Sequence, residues 1–289
     1  MKIDLFAVDT KLPFEESISN DPSLKIYNFI EAEQRIKIES KNDQHDFKYA
    51  DHYEKDAAFY DYFEEYPDGA SRHENRRLHE AIISELNGRS CEKILDVGCG
   101  NAWVAKHFLA KKKQVVSMDI ASVNVHKALN IYPKPGHVGV VADVFQLPFK
   151  KDLFDVIIAA EIIEHVVDPA GFIKQLFKVL KPGGTLMIST PNEEKIKYSM
   201  GIHCNKETPQ FAHLHSFSKK TFVDILENNF KKKEIKYAYI FTFSNKALIK
   251  LRSHALLKIF PFQVWKMIDK LSNFFYKKPT RLILNLQKN

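Results

Sequence analysis

Two stretches of this chain gather residue types able to do chemistry. In the first, Asp96-Val97-Gly98-Cys99-Gly100, a carboxylate precedes two glycines set two apart. The apolar run Ile94-Leu95 before it and a helical pattern from about Ala102 read as strand, tight turn and helix start. Glycine is needed where the backbone takes a positive φ or a ligand approaches closely, and a helix N-terminus offers unpaired N–H groups to a polar ligand. Further on, Gln114–Met118 reads as a second strand ending in Asp119, the place where nucleotide-binding α/β folds take a ribose diol on an acid. The second stretch is Glu161-Ile162-Ile163-Glu164-His165. On a helix, positions i, i+3 and i+4 share a face, so this spacing predicts two carboxylates and an imidazole side by side. Such oxygen and nitrogen donors suit Mg²⁺ or Mn²⁺. Without a metal, His165 is the general-base candidate and Glu164 the start of a helix.

These residues need strands to hold them. The pattern predicts strands at 93–97, 114–119, 137–142, 154–160 and 184–190, alternating with helices near 102–111, 122–130, 170–180 and 218–229. Unbroken Val/Ile runs of this kind are what a parallel sheet buried on both faces demands. Glu234–Phe243 reads as a sixth strand and Thr280–Leu286 as a seventh. Upstream, Ile3–Val8 reads as a strand, and Leu24–Ile38 carries apolar residues at mixed spacing. The aromatic run from Phe47 to Tyr66 suits a helix through Tyr49, Tyr53, Tyr60 and Phe63, ended by Pro67-Asp68-Gly69, and a second helix spans His73–Leu86. These aromatics are expected mainly in a core, their commonest use. The organisation expected is an N-terminal extension and helical cap at 1–74, a core at 75–243, a helical insertion at 244–279 and a terminal core strand at 280–289.

The chain has 289 residues, 45% of them hydrophobic and 27% charged, within the range of globular proteins and enough for one substantial core. The net charge of +7 is unevenly placed: Lys246–Lys278 holds eight Lys or Arg against one acid, Asp269. There Leu248, Leu251, Ala255, Ile259 and then Phe262, Trp265, Ile268, Leu271, Phe275 follow helical spacing, broken by Pro261. Such a basic amphipathic pair of helices serves as a solvated face, a lid on a substrate pocket, or a weak peripheral contact with an anionic membrane. The sparse cysteines Cys91, Cys99 and Cys204 lack framework spacing, which fits the reducing cytoplasm. The N-terminal apolar run is too short for a signal peptide, and no stretch reaches the ~20 apolar residues of a spanning helix. A cytoplasmic protein is expected, with the inner membrane face as its one peripheral site.

The glycine turn resembles the first motif of the class I S-adenosylmethionine-dependent methyltransferases, and the likeness runs over roughly residues 75–243. Asp143, in Asp143-Val144-Phe145-Gln146-Leu147-Pro148-Phe149, matches an element of the branch holding the ubiquinone- and menaquinone-biosynthesis enzymes. The resemblance implies an α/β, Rossmann-like, doubly wound seven-stranded sheet, mostly parallel with the last strand antiparallel. It implies S-adenosylmethionine as cofactor: Asp96, Gly98, Cys99 and Gly100 beside the methionine portion, Asp119 on the ribose, Ile120 on the adenine face, Asp143 and Val144 at the adenine amino group, and Glu161 closing the site. Ala102 stands where many members have a third glycine, a substitution that a small residue makes tolerable.

The Glu-x-x-Glu-His run resembles that of the ubiquinone-biosynthesis O-methyltransferases and of the small-RNA 2′-O-methyltransferases. In the latter a histidine of a His-x-Phe run after a Thr-Pro-Asn element closes a metal site. Thr190-Pro191-Asn192 followed by His215-Ser216-Phe217 matches it, which makes Glu161, Glu164, His165 and His215 the implied ligands of a divalent ion and His165, Glu164 and His215 the implied catalytic groups. A small-molecule, sugar- or lipid-linked acceptor bearing hydroxyls is expected, with a vicinal diol favoured if a metal chelates it. An RNA-end methyltransferase would need a broad basic surface with stacking aromatics, so nucleic acid is a poor fit. A cofactor-binding fold member without catalysis is disfavoured by the acidic and histidine residues kept together. The Gly-x-Gly-x-Ala spacing disfavours a nicotinamide dehydrogenase.

Overall fold

The computed structural model describes residues 15–30 and 49–289, apart from residues 19, 22, 67, 202–206 and 251–259. The strand expected at Ile3–Val8, Cys204 and the middle of the insertion lie outside the described residues. A hairpin opens the described chain, β1 (Glu15–Ile18) and β2 (Lys25–Asn28), followed by helices α1 (Tyr49–Phe59) and α2 (Gly69–Leu86). Then come β3 (Lys93–Val97), α3 (Trp103–Leu109), β4 (Gln114–Asp119), α4 (Ser122–Ile131), β5 (His137–Val141), β6 (Phe154–Ala160), α5 (Pro169–Val179) and β7 (Leu180–Pro191). A small hairpin, β8 (Tyr198–Met200) with β9 (Glu207–Pro209), precedes α6 (Lys219–Asn229), β10 (Ile235–Phe243), α7 (Lys246–Lys250), α8 (Phe262–Phe275) and β11 (Arg281–Lys288).

The main sheet runs β1-β2-β5-β4-β3-β6-β7-β11-β10. Pairing is parallel from β2 through β5, β4, β3 and β6 to β7, and β11 is antiparallel to both β7 and β10. The seven strands expected from residue 93 onward are all present. Their edge is extended by the β1–β2 hairpin, which the mixed apolar spacing of this stretch did not announce. Its signal is short: Leu24 and Ile26 alternate inward, and Ile26 pairs with Gly139 of β5.

Alternation along each strand divides the core between two faces. Ile94, Val115, Val156 and Ile158 pack with Leu78, Ile82, Val104, Val125 and Leu129 from α2, α3 and α4. Leu95, Val116 and Ile157 pack on the other face with Phe172, Ile173, Leu176, Phe222 and Leu226 from α5 and α6. With both faces covered, the strands position their carboxyl ends rigidly along one edge. Helix starts obey local chemistry. Asp68 accepts from the Ser71 N–H at 2.9 Å, so α2 begins at Gly69, earlier than periodicity predicts, and Ser218 forms a capping box with Thr221 at α6. Among the described residues, no helix is long and apolar enough to cross a membrane.

Gly139 lets α4 and β2 close on β5. A Cβ there would lie 2.6 Å from Val125 Cγ1 and 2.9 Å from Leu129 Cδ1. Gly139→Ala is expected to destabilise the fold by about 1–3 kcal/mol, measured as a lower urea midpoint with an unchanged slope.

Candidate active site

At the carboxyl ends of β3 to β6 lies one cavity, the place where open α/β sheets take ligands. Its walls hold every residue expected at the cofactor: Asp96, Gly98, Cys99, Gly100, Asp119, Ile120, Asp143, Val144 and Glu161. The turn after β3 is built on left-handed backbone, with φ of +65° at Gly98 and +43° at Gly100. A Cβ on Gly98 would lie 2.2 Å from Ile162 Cδ1, so glycine is required there on two counts. Ala102 also takes φ 54° and is fully buried. It ends the turn rather than starting the helix, which begins at Trp103.

Asp119 ties this turn to β4. Its carboxylate accepts from the Gly100 N–H at 3.2 Å, the Ala121 N–H at 2.9 Å and the Asn124 amide at 3.3 Å. Burial raises its pKa, against the pull of those donors. Asp96 is 2% exposed, and its Oδ2 has no hydrogen-bond partner. Burial first, then the charge of Asp119, hold its pKa well above the usual carboxylate range. A buried carboxylate oxygen with no partner beside a ligand-sized opening fits a ligand that brings its own donor or positive charge. Asp143 caps the short 3-10 turn Val144–Gln146 by accepting from the Phe145 N–H at 2.7 Å. It is a turn former that also lines the cavity.

Around the opposite rim the expected helical face does not form. Glu161 takes φ 59° and Ile162 φ −123°, and only Ile163–His165 makes a 3-10 turn. Glu161 therefore stands outside that turn, although its charge still acts on Glu164. It accepts from the Ser189 hydroxyl at 2.9 Å and pairs with Arg281 at 3.2 Å. Glu164 and His165 instead meet His213, with a potential ligand atom of each within 4.8 Å of the others. Of the four ligands that the resemblance implies, the structure brings Glu164 and His165 together with His213, while Glu161 and His215 lie outside that group. His215 donates its backbone N–H to the Glu164 carbonyl at 3.2 Å, while its ring lies near Phe217. Neither Glu164 nor His215 lines the cavity, whereas His165 does.

Glu164 is 1% exposed, and its carboxylate has only the Thr190 hydroxyl and its own backbone N–H near it, neither closing a well-formed hydrogen bond. Burial, then the neighbouring Glu161 charge, raise its pKa well above the ordinary value. Burial, then His213, lower His165 to about 3, so its ring is neutral at physiological pH. His165 Nδ1 lies 3.3 Å from the Ala212 carbonyl, and His213 Nδ1 lies 2.5 Å from Glu194. Each ring is thereby oriented through one nitrogen, as metal-ligating histidines commonly are. An orphaned buried carboxylate with two oriented imidazoles fits a divalent ion.

Several wall residues escaped the sequence reading. Tyr53, Tyr62 and Tyr66 line the cavity from α1 and the turn beyond it, and Trp103 stacks on His79 with centroids 4.0 Å apart. The tyrosines are legible in the sequence as an aromatic excess, whose commonest use is in a core. His213 and Arg281 carried no signal beyond composition.

Residues 70–230 match a family model described as a methyltransferase domain. The ubiquinone biosynthesis O-methyltransferase of Rickettsia canadensis is 36% identical over 126 residues, 43% of this chain and 52% of that protein. The Bradyrhizobium sp. (strain ORS 278) protein of that name is 30% identical over 128 residues, 44% and 50% of the two chains. The human mitochondrial one is 30% identical over 149 residues, 47% and 40%. The chain thus spans about half the length of the curated relatives it matches. Among solved structures, a candidate S-adenosylmethionine-dependent methyltransferase from Listeria monocytogenes matches with a TM-score of 0.52 at 11% identity, covering 74% of this chain and 99% of that one. At that identity it speaks for the fold alone.

Two substitutions separate ligand binding from stability. Asp119→Ala is expected to weaken S-adenosylmethionine binding by roughly 3 kcal/mol, on the order of a hundredfold in Kd, read by calorimetry. Asp96→Asn removes a carboxylate that the folded state holds protonated at a pH where the unfolded state ionises it, so this group destabilises the fold as pH rises above the unfolded value. The variant is expected to melt about 2–4 °C higher at neutral pH while losing ligand affinity.

Proposed function

This chain belongs to the class I S-adenosylmethionine-dependent methyltransferases, and from that premise we propose that it methylates a hydroxyl oxygen of a small acceptor. S-adenosylmethionine, when bound, supplies an electrophilic methyl on a sulfonium. On this reading Asp119 accepts the ribose hydroxyls, Ile120 and Val144 flank the adenine, Asp143 accepts from its amino group, and Asp96 with the backbone of Gly98–Gly100 lies beside the methionine portion. Glu161, pinned by Ser189 and Arg281, closes the wall toward the acceptor.

The observation that carries the reading is His165: a neutral imidazole on the cavity wall, oriented through Nδ1, with Glu164 and His213 behind it. Methyl transfer to oxygen is an in-line displacement that needs the acceptor held close and deprotonated. Holding it is the larger contribution in principle; without an ion, His165 Nε2 is the group placed to take the proton, a role worth ~10²–10⁴-fold. The Glu164–His165–His213 group would hold a divalent ion such as Mg²⁺ or Mn²⁺, which would lower the pKa of a bound hydroxyl. With three protein donors, positions remain for neighbouring oxygens of the acceptor, so a vicinal diol on a sugar or catechol is the acceptor class proposed. The curated relatives named for ubiquinone biosynthesis O-methylation support oxygen as the acceptor atom.

The test is methyl transfer to 3,4-dihydroxybenzoate with and without a chelator. Glu164→Gln and His165→Gln should each lower kcat by about 10²-fold or more and leave S-adenosylmethionine affinity nearly unchanged. Full activity in chelator from metal-free protein would remove the ion and leave His165 as sole base. Because His165 stays neutral down to about pH 3, its titration should put no acid limb near pH 6.5 in the kcat/KM profile. An acid limb at that pH that His165→Gln abolishes would contradict the assignment.

A further inference from the structure

We propose that the outer face of α8 docks this protein on an anionic phospholipid surface. Helix α8 is amphipathic twice over. Its inner side is fully engaged with α2: Trp265 is buried, Asp269 forms a buried ion pair with Arg77 at 3.1 Å, Phe262 lies under Arg76 at 3.8 Å, and Lys266 reaches Glu80 at 3.0 Å. Its C-terminal end is anchored by the buried Asn245, whose amide donates to Asn273 and to the Tyr276 carbonyl, both at 2.8 Å. The helix is therefore held in place by contacts that leave its other side open.

That other side is apolar where a solvated face would be polar. Met267, Leu271, Phe274 and Phe275 fall at i, i+4, i+7 and i+8, and all are exposed, the two phenylalanines to 77% and 82%. Adjacent aromatic rings left in water are costly, and a patch of this kind marks an interaction surface. None of these residues lines the cavity, nor does any other described residue of 244–279, so this face is not part of the cavity wall.

Charge selects the occupant. From Phe262 to Lys278 the only acid is Asp269, and it is turned inward onto Arg77. Lys270, Lys277 and Lys278 are exposed beside the apolar row. Basic residues flanking exposed aromatics, with no outward acid, match an anionic bilayer: the rings enter the acyl boundary while the ammonium groups stay at the phosphates. A second copy of the same face would set these lysines against one another. The C-terminal end of α8 runs into Arg281 beside Glu161, so the surface lies toward the cavity end of the sheet.

The experiment is co-sedimentation of the full chain with phosphatidylcholine vesicles and with vesicles in which phosphatidylglycerol replaces part of the phosphatidylcholine. Pelleting is expected with the phosphatidylglycerol vesicles and should weaken at high salt. Phe274→Ser with Phe275→Ser should lower the partition coefficient about tenfold, and Lys270→Glu with Lys277→Glu should lower it comparably. Because all four side chains are exposed, both variants should keep the parent melting temperature. No pelleting with either vesicle overturns the proposal, as does equal pelleting with both. A concentration-dependent dimer that Phe274→Ser/Phe275→Ser breaks, without vesicle binding, would assign the face to a second copy instead.

Discussion

The cavity depends on the three hydrogen bonds that the Asp119 carboxylate accepts. Gly100 comes from the turn after β3, Ala121 and Asn124 from the start of α4, and the Cys99 N–H reaches the Met118 carbonyl at 3.0 Å to complete the joint. The two strand ends that must face one ligand are thus locked at a fixed separation. The same burial that strengthens these bonds raises the energy of every ionised carboxylate in the site. Burial accordingly raises the pKa of Asp96 and of Glu164 well above the ordinary carboxylate range.

On the acceptor side, one half-buried cation, Arg281, organises an excess of acids. Arg281 pairs with Glu161 at 3.2 Å and Glu74 at 3.6 Å, and these carboxylates raise its own pKa against the effect of burial. Its place is set by register, because β11 pairs antiparallel with β7 so that Arg281 lies opposite Pro191. Glu161 is satisfied in this way, whereas Glu164, which feels Arg281 only at longer range, makes no ion pair with it. The difference assigns the two acids different work: one fixes the wall, and the other waits for a positive charge.

Helix α2 links the remaining parts. One side carries Leu78 and Ile82 into the core, and Asn75, Leu78 and His79 reach the cavity. Another side receives α8 through Arg77 and Glu80. Helix α8, which follows β10, is thereby fastened to the wall of the site without entering it.

The sequence by itself determined the core strands, the glycine turn and the acids at the strand ends that line the cavity, because these depend on local rules. Alternation, caps and positive-φ glycines act within a few residues. The β1–β2 hairpin escaped because a four-residue strand offers too few alternations to stand out from a loop. The Glu161–His165 run misled because spacing implies a shared face only on a continuous helix, and a left-handed Glu161 followed by a single 3-10 turn breaks that periodicity. Tertiary structure alone decided that His213 rather than His215 joins Glu164 and His165, that Arg281 neutralises Glu161, and that α8 turns phenylalanines outward. Each of these outcomes joins residues far apart in the chain, and it is packing and ladder register, not neighbouring sequence, that bring such residues together.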